Sequence, residues 1–229
     1  VYSAPMQDDA GLLDERSVAI RWALGLWAVV VAVFVIIAVP ALRDLAEPVD
    51  EWFWDLAVET EWQPAVILAK ALRIIGTGWV MVPFEIAVAA LLLARHRVKA
   101  LTFWVAAVVT SEAIVWISKV LYDRPRPPEA LVSTTGDSFP SAHSATAAVV
   151  AIGLVLVFVP ISENRRRWFA AAAGWAVLMA ASRVYLRAHW FTDVVAGVAV
   201  GAAAALTFAL LIDRWLSRTE ERGHRHAEE

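Results

Sequence analysis

The sequence predicts an all-α integral membrane protein with six transmembrane helices and one further helix at the outer interface. Three observations predict it. Of 229 residues, 60% are hydrophobic, against roughly 45–50% in soluble domains. The charges are clustered: from Val18 to Val39 the only one is Arg21, and about 20 apolar residues cross a roughly 30 Å hydrocarbon core as a helix. Such runs recur at 18–39, 78–94, 100–120, 143–160, 168–185 and 191–212, with small basic clusters between or after them.

The basic clusters orient the spans. They are Arg95/Arg97/Lys99, Arg165/Arg166/Arg167 and Arg214/Arg218, and basic residues near span ends mark the cytoplasmic side. Two spans separate the first cluster from the second, and two more the second from the third. All three therefore share one face, and the N-terminus joins them. The first run is too long for a signal-peptide core and is expected to be a retained anchor. Residues 62–76 are apolar but short and carry Lys70 and Arg73. As a seventh span they would set the basic clusters against the N-terminus, so an interfacial or re-entrant helix on the outer face is expected, broken at Gly76-Thr77-Gly78. Snorkelling is the ordinary reason for such cations, and attraction of lipid phosphates is the other. Residues 43–61, with seven acids and one Arg, are expected as an outer loop. The domain plan is a cytoplasmic segment 1–17, a membrane domain 18–212, and a cytoplasmic tail 213–229, polar and frayed over 217–229.

Composition excludes several functions. A net charge of −3 without a basic face gives nucleic-acid binding no support. With no Cys there is no disulfide, thiolate metal site or thiol nucleophile. The chemistry must come from other side chains, and three blocks at the outer ends of the spans supply them.

The first block is Lys119 and, within the Pro-rich run that follows, Arg126-Pro127. Two cations fixed at a membrane surface suit a tetrahedral dianion, Arg as a bidentate fork and Lys as a point charge. A merely positive helix flank is the alternative, but it belongs on the other face. The second block is Pro140-Ser141-Ala142-His143. Ser141 is a good helix N-cap, and first-turn amides bind anions; a capping serine followed by an incidental histidine explains the block equally well. The third block is Ser182-Arg183, then His189 and Asp193. If 189–193 begin a helix, the i,i+4 spacing sets the carboxylate beside the imidazole. A carboxylate on one ring nitrogen leaves the other free as a nucleophile; the bland alternative is a plain surface pair.

In that order, Lys119-x6-Arg126-Pro127, Pro140-Ser141-Ala142-His143 and Ser182-Arg183-x5-His189-x3-Asp193 resemble the three-part signature of the type 2 phosphatidic-acid phosphatase superfamily. The likeness covers residues 119–193 in its motifs and about 18–212 in its helical layout. It implies that His189 attacks phosphorus to form a phosphohistidine, oriented by Asp193. His143 would protonate the leaving oxygen and then activate water. Lys119, Arg126, Ser141, Arg183 and the amides near Ala142 would hold the phosphoryl oxygens. Ala142 stands where the family usually has Gly, and its methyl would crowd the phosphate. No cofactor and no metal are implied; the partners implied are a lipid phosphate substrate and the bilayer.

The function expected is hydrolysis of a polyprenyl diphosphate, phosphatidylglycerol phosphate or phosphatidic acid at the outer face of the cell membrane. The alternatives are a lipid phosphotransferase, a vanadium-dependent oxidase on the same cradle, or a lipid-binding protein with a degenerate site. A bell-shaped activity profile within pH 5–8 is expected from the two histidines.

Remaining polar residues have weaker assignments. Glu112 lies two turns, roughly 10 Å, deeper than Lys119 and is expected to support a cation of the phosphate cradle. Glu85 has no expected partner. Gly197-x3-Gly201 reads as a close-packing motif, and Trp52, Trp54, Trp168, Trp190 and Trp215 as interfacial belts. His96, His224 and His226 are expected to lie in cytoplasmic segments without chemistry.

Overall fold

The computed structural model describes residues 12–162 and 164–227, with side chains through Trp215. Among these residues the chain forms helices only: α1 (Arg16–Ala38), α2 (Pro40–Glu59), α3 (Gln63–Ile75), α4 (Gly78–Ala94), α5 (Val98–Tyr122), α6 (Ala142–Phe158), α7 (Arg165–Tyr185) and α8 (Phe191–Ala227). Three are long and apolar enough to cross a membrane alone: α1, α5 and the Phe191–Trp215 part of α8. The pair α3–α4, bent by 47° at its break, makes a fourth if taken as one span. Helix α6 is apolar but has 17 residues, and α7 carries Arg165, Arg166, Arg167 and Arg183.

α6 is the central helix. Residues 144–150 are buried without interruption. Small residues allow this. A Cβ at Gly197 would lie 2.4 Å from the Ser141 carbonyl oxygen, and one at Gly201 would lie 2.2 Å from that of Ala145. The Gly-x3-Gly pair thus brings α8 against the first two turns of α6, as expected of such a motif. Phe103 and Trp104 of α5 fill the space beside Gly153. The outer surface is apolar, with Trp79 93% and Trp116 69% exposed, which suits a lipid-facing belt.

The basic clusters share one end of the bundle. Arg97 lies over the Phe158 ring at 6.0 Å. Arg165 pairs with Asp14 and donates to the carbonyls of Leu12 (2.8 Å) and Leu156 (3.1 Å). The Leu12 amide donates to Asp213 of α8 at 2.7 Å. His143 and His189 stand at the other ends of their helices.

Two expectations need correction. Residues 43–61 are no loop: α2 covers most of them. Pro40 opens it with φ preset, and Ala46, Asp50 and Ala57 bury one stripe, leaving most of the acids exposed. The tail is also not separate, because α8 runs on to Ala227 through Arg, Glu and Leu, which favour helix. The side chains of His224 and His226 lie outside the described residues. The break at Gly76-Thr77 falls where expected.

Candidate active site

Four segments meet at the end of the bundle opposite the basic clusters. α5 stops at Asp123, whose φ of 40° is left-handed, and Lys119 occupies its last turn. The chain then runs extended through the prolines, and Gly136, at φ 65°, turns a loop whose carbonyls face inward. Arg126 donates to Gly136 O (2.9 Å), Thr135 O (3.1 Å) and Asp137 O (3.1 Å). Lys119 Nζ donates to Asp137 O at 2.5 Å. Both cations are therefore held by neutral acceptors, and among the described residues no carboxylate is within salt-bridge distance of either.

His189 lies between α7 and α8, in a turn where Arg187 takes a left-handed φ of 52°. Its ring is 4% exposed. Nε2 lies 3.2 Å from Arg126 Nη1, which can only donate, so Nε2 carries the lone pair and Nδ1 the proton. Nδ1 sits 3.4 Å from Asp193 Oδ2, an ion-pair separation longer than a good hydrogen bond. The i,i+4 pairing is realised although His189 precedes the helix. Burial pushes the imidazole down to about 4, despite the opposing pull of Asp193. The ring is neutral at pH 7, as a nucleophile must be.

Asp193 is fully buried, and a buried carboxylate needs partners. Arg124 Nη1 donates to Oδ1 at 2.5 Å, and the Trp190 amide donates to Oδ2 at 2.9 Å. The Ser138 hydroxyl also donates to Oδ2. Arg124 reaches Asp50 of α2 at 2.7 Å, and Asp50 accepts from the Thr192 amide and hydroxyl, each at 2.8 Å. Arg124, Asp50, Ser138, Thr192 and Trp190 form a network that sequence reading missed. A second Arg in the run Arg124-Pro125-Arg126 was the available signal. Asp50 had none, because only the tertiary fold brings α2 over the start of α8.

Ser141 takes the N-cap position of α6, but its side chain makes no capping bond. Its hydroxyl accepts from Ser144 Oγ at 3.0 Å, and its amide donates to Asp193 O at 3.0 Å. Ala142 follows as the first helical residue, half-buried, and His143 next. His143 Nε2 donates to the Arg73 carbonyl at 3.2 Å. Its Cδ2 would lie 2.6 Å from a Cβ at Gly76, so the break of α3–α4 packs directly on the ring. Arg183, 2% exposed, has Nε and Nη1 buried without a hydrogen-bond partner. Its neighbour Ser182 bonds back to Met179 O at 2.6 Å. Lys119, Arg126, His143, Arg183, His189 and Asp193 thus come to one end of the bundle, with Ser141 and Ala142 at the head of α6.

One expectation fails on contact geometry. Glu112 supports no cation: its Oε1 accepts from Thr146 of α6 at 2.5 Å. Trp190 donates its indole N–H to Pro125 O at 2.9 Å, and its ring lies 5.8 Å from the Arg124 guanidinium. Trp54 donates to Pro128 O at 3.2 Å. Glu85 Oε1 is buried without a hydrogen-bond partner.

A helical membrane protein with two imidazoles set among undercompensated cations defines a class of anion-handling site at a bilayer face. The model of the PAP2 superfamily matches residues 99–217, and the chain belongs to that superfamily. Over 91 residues it is 40% identical to phosphatidylglycerophosphatase B of Bacillus subtilis (strain 168), a match covering 38% of this chain and 42% of that relative's length. Its fold is that of the transmembrane PAP2-type phosphatidylglycerolphosphate phosphatase from Bacillus subtilis, with TM-score 0.66 and 24% identity over 87% of this chain and 96% of the other. Aquifex aeolicus LpxE is similar at TM-score 0.55 and 20% identity, over 68% of this chain and 91% of that one. The chain is a multi-pass membrane protein.

Proposed function

We propose that this protein is a membrane phosphatase that hydrolyses a lipid phosphate or diphosphate through a phosphohistidine on His189. The observation that carries the reading is the state of His189: buried, neutral, with Nε2 facing Arg126 and Nδ1 facing Asp193. Phosphorus is attacked by Nε2, while Asp193 steadies the imidazolium that forms. Lys119, Arg126 and Arg183, with Ser141 and the first-turn amides at Ala142 and His143, take the phosphoryl oxygens. His143 takes up a second proton when the phosphate's negative charge comes beside it. With Nε2–H held by the Arg73 carbonyl, it passes the Nδ1 proton to the leaving oxygen and later accepts one from water. The cations already compensate the phosphoryl charge, so the mechanism calls for no metal.

A groove of about 560 Å³ supports a lipid substrate. It starts at His143 and Gly76 and runs down α6 to Phe158 and Val159, about 24 Å by helix rise. Apart from His143 and Thr146 its walls on α6 and α7 are apolar or aromatic. Continuity with His143 makes the substrate's hydrocarbon tail its occupant. We further read α1, α4, α5, α6, α7 and α8 as six spans, with α3 re-entrant. The basic end and both termini then face the cytoplasm, and the site faces outward.

Purified protein given a panel of lipid phosphates tests the reading. Release of inorganic phosphate is expected without a lipid acceptor and in the presence of EDTA. His189→Ala should reduce it by about 10⁴-fold or more. Undiminished release from His189→Ala would sink the mechanism.

A further inference from the structure

Three of the site's cations belong to the phosphatase signature's own blocks, but a fourth lies outside them. Arg73 sits in the last turn of α3, half-buried. Its backbone carbonyl takes the His143 Nε2 proton at 3.2 Å. Its guanidinium donates to Ser133 O at 3.2 Å, on the loop whose next carbonyls, at 135–137, hold Arg126 and Lys119. Among the described residues no carboxylate pairs with it, and its charge acts on both Arg183 and His143. Lys70, one turn earlier, is exposed. The two cations of this helix, alike in sequence, are thus placed differently.

Position decides what Arg73 can touch. Resting on the phosphatase reading, His143 marks the leaving oxygen, and the groove that opens beside it is walled by Ile75 and Gly76. The atoms just beyond the leaving oxygen therefore pass the α3 terminus before the tail descends. We propose that Arg73 is a specificity-determining residue: it binds a second, anionic phosphate on the leaving-group side and favours lipids that carry one. A diphosphate ester and a phosphatidylglycerol phosphate both qualify; phosphatidic acid, whose leaving group is a neutral diacylglycerol, does not.

For a diphosphate, the P–N bond to His189 Nε2 forms as the bridging P–O bond breaks, and the electron pair stays on the bridging oxygen. The leaving lipid becomes a monophosphate, whose added charge is met by the His143 proton and by Arg73. Water then cleaves the P–N bond and releases inorganic phosphate.

The test compares kcat/KM of wild type, Arg73→Gln, Arg73→Lys and Lys70→Gln on a prenyl diphosphate, phosphatidylglycerol phosphate and phosphatidic acid, the last two with equal acyl chains. The readout is the ratio between lipids within one preparation, which a change in folded fraction does not move. Arg73→Gln is expected to lose about 10-fold or more on both lipids that carry a second phosphate, and less than about 3-fold on phosphatidic acid. Arg73→Lys should fall between, keeping charge without the fork, and Lys70→Gln should match wild type. Equal losses on all three lipids, or no loss on any, overturn the inference while leaving the phosphatase reading intact. Wild type that releases phosphate from none of them overturns both. Loss on only one of the two favoured lipids overturns the shared second-phosphate site.

Discussion

Arg165 and Arg183 are buried at opposite ends of α7, 1% and 2% exposed, and the fold treats them in opposite ways. Arg165 has Asp14, two backbone carbonyls and the face of Phe169 at 5.6 Å; only its Nε lacks a partner. Arg183 keeps two guanidinium nitrogens buried and unbonded, beside the histidines. The same split separates neighbours in sequence. Arg124 is locked between Asp50 and Asp193, whereas Arg126 meets only carbonyls and the lone pair of His189. A buried charge without a counterion costs several kcal/mol. An arginine paired with carboxylates therefore serves the frame, and one without a counterion awaits an anion.

Substitution should break this contrast if it is wrong. Arg183→Gln is expected to cost about 10²–10³ in kcat/KM, with the thermal midpoint in detergent unchanged or raised, because a repelling charge with two unbonded nitrogens is removed. Arg165→Gln should do the reverse, leaving turnover per folded molecule intact while losing about 3–5 kcal/mol of stability. If the two effects were exchanged, pairing with carboxylates would be no guide to role. Arg124→Gln should lower both quantities, since Asp50 and Asp193 would be left facing each other and His189 would lose its anchor; loss of activity alone would place Arg124 with the cradle instead.

Smaller effects sharpen the picture. His189 titrates at about 4, well below the ordinary histidine value of 6.5. The ring is thus neutral throughout pH 5–8 and becomes protonated only as pH falls towards 4. That moves the acid limb expected from sequence out of the physiological range. Nitrogen NMR of labelled imidazole in the substrate-free protein should show the transition near pH 4, and a midpoint above 6 would contradict the burial argument. Smallest of all, Glu112→Gln is expected to cost about 1 kcal/mol through its Thr146 bond, with turnover within about two-fold. A large loss of activity would return Glu112 to the cradle.

Much of this protein was legible before folding was considered. Hydropathy alone located α1, α5 and the apolar part of α8, because a bilayer demands long uncharged runs. The signature blocks located His143, His189 and Asp193 because their spacing within each block is local. Legibility ended where side chains from distant segments meet. The acids of α2 read as a loop because amphipathic helix and polar loop share a composition, and nothing in the chain marked Asp50 as the one acid turned inward. Glu112 looked like a neighbour of Lys119 along α5, but Thr146 on the facing helix claimed it.

The sequence by itself determined the class and the long apolar spans, since hydrophobic length and motif spacing are properties of one segment at a time. Only the tertiary structure decided which arginines are neutralised. That depends on which carboxylates the fold carries within about 4 Å, the range where an ion pair forms in a low-dielectric interior. Arg124 and Arg126 differ by two positions in the chain and by everything in their surroundings.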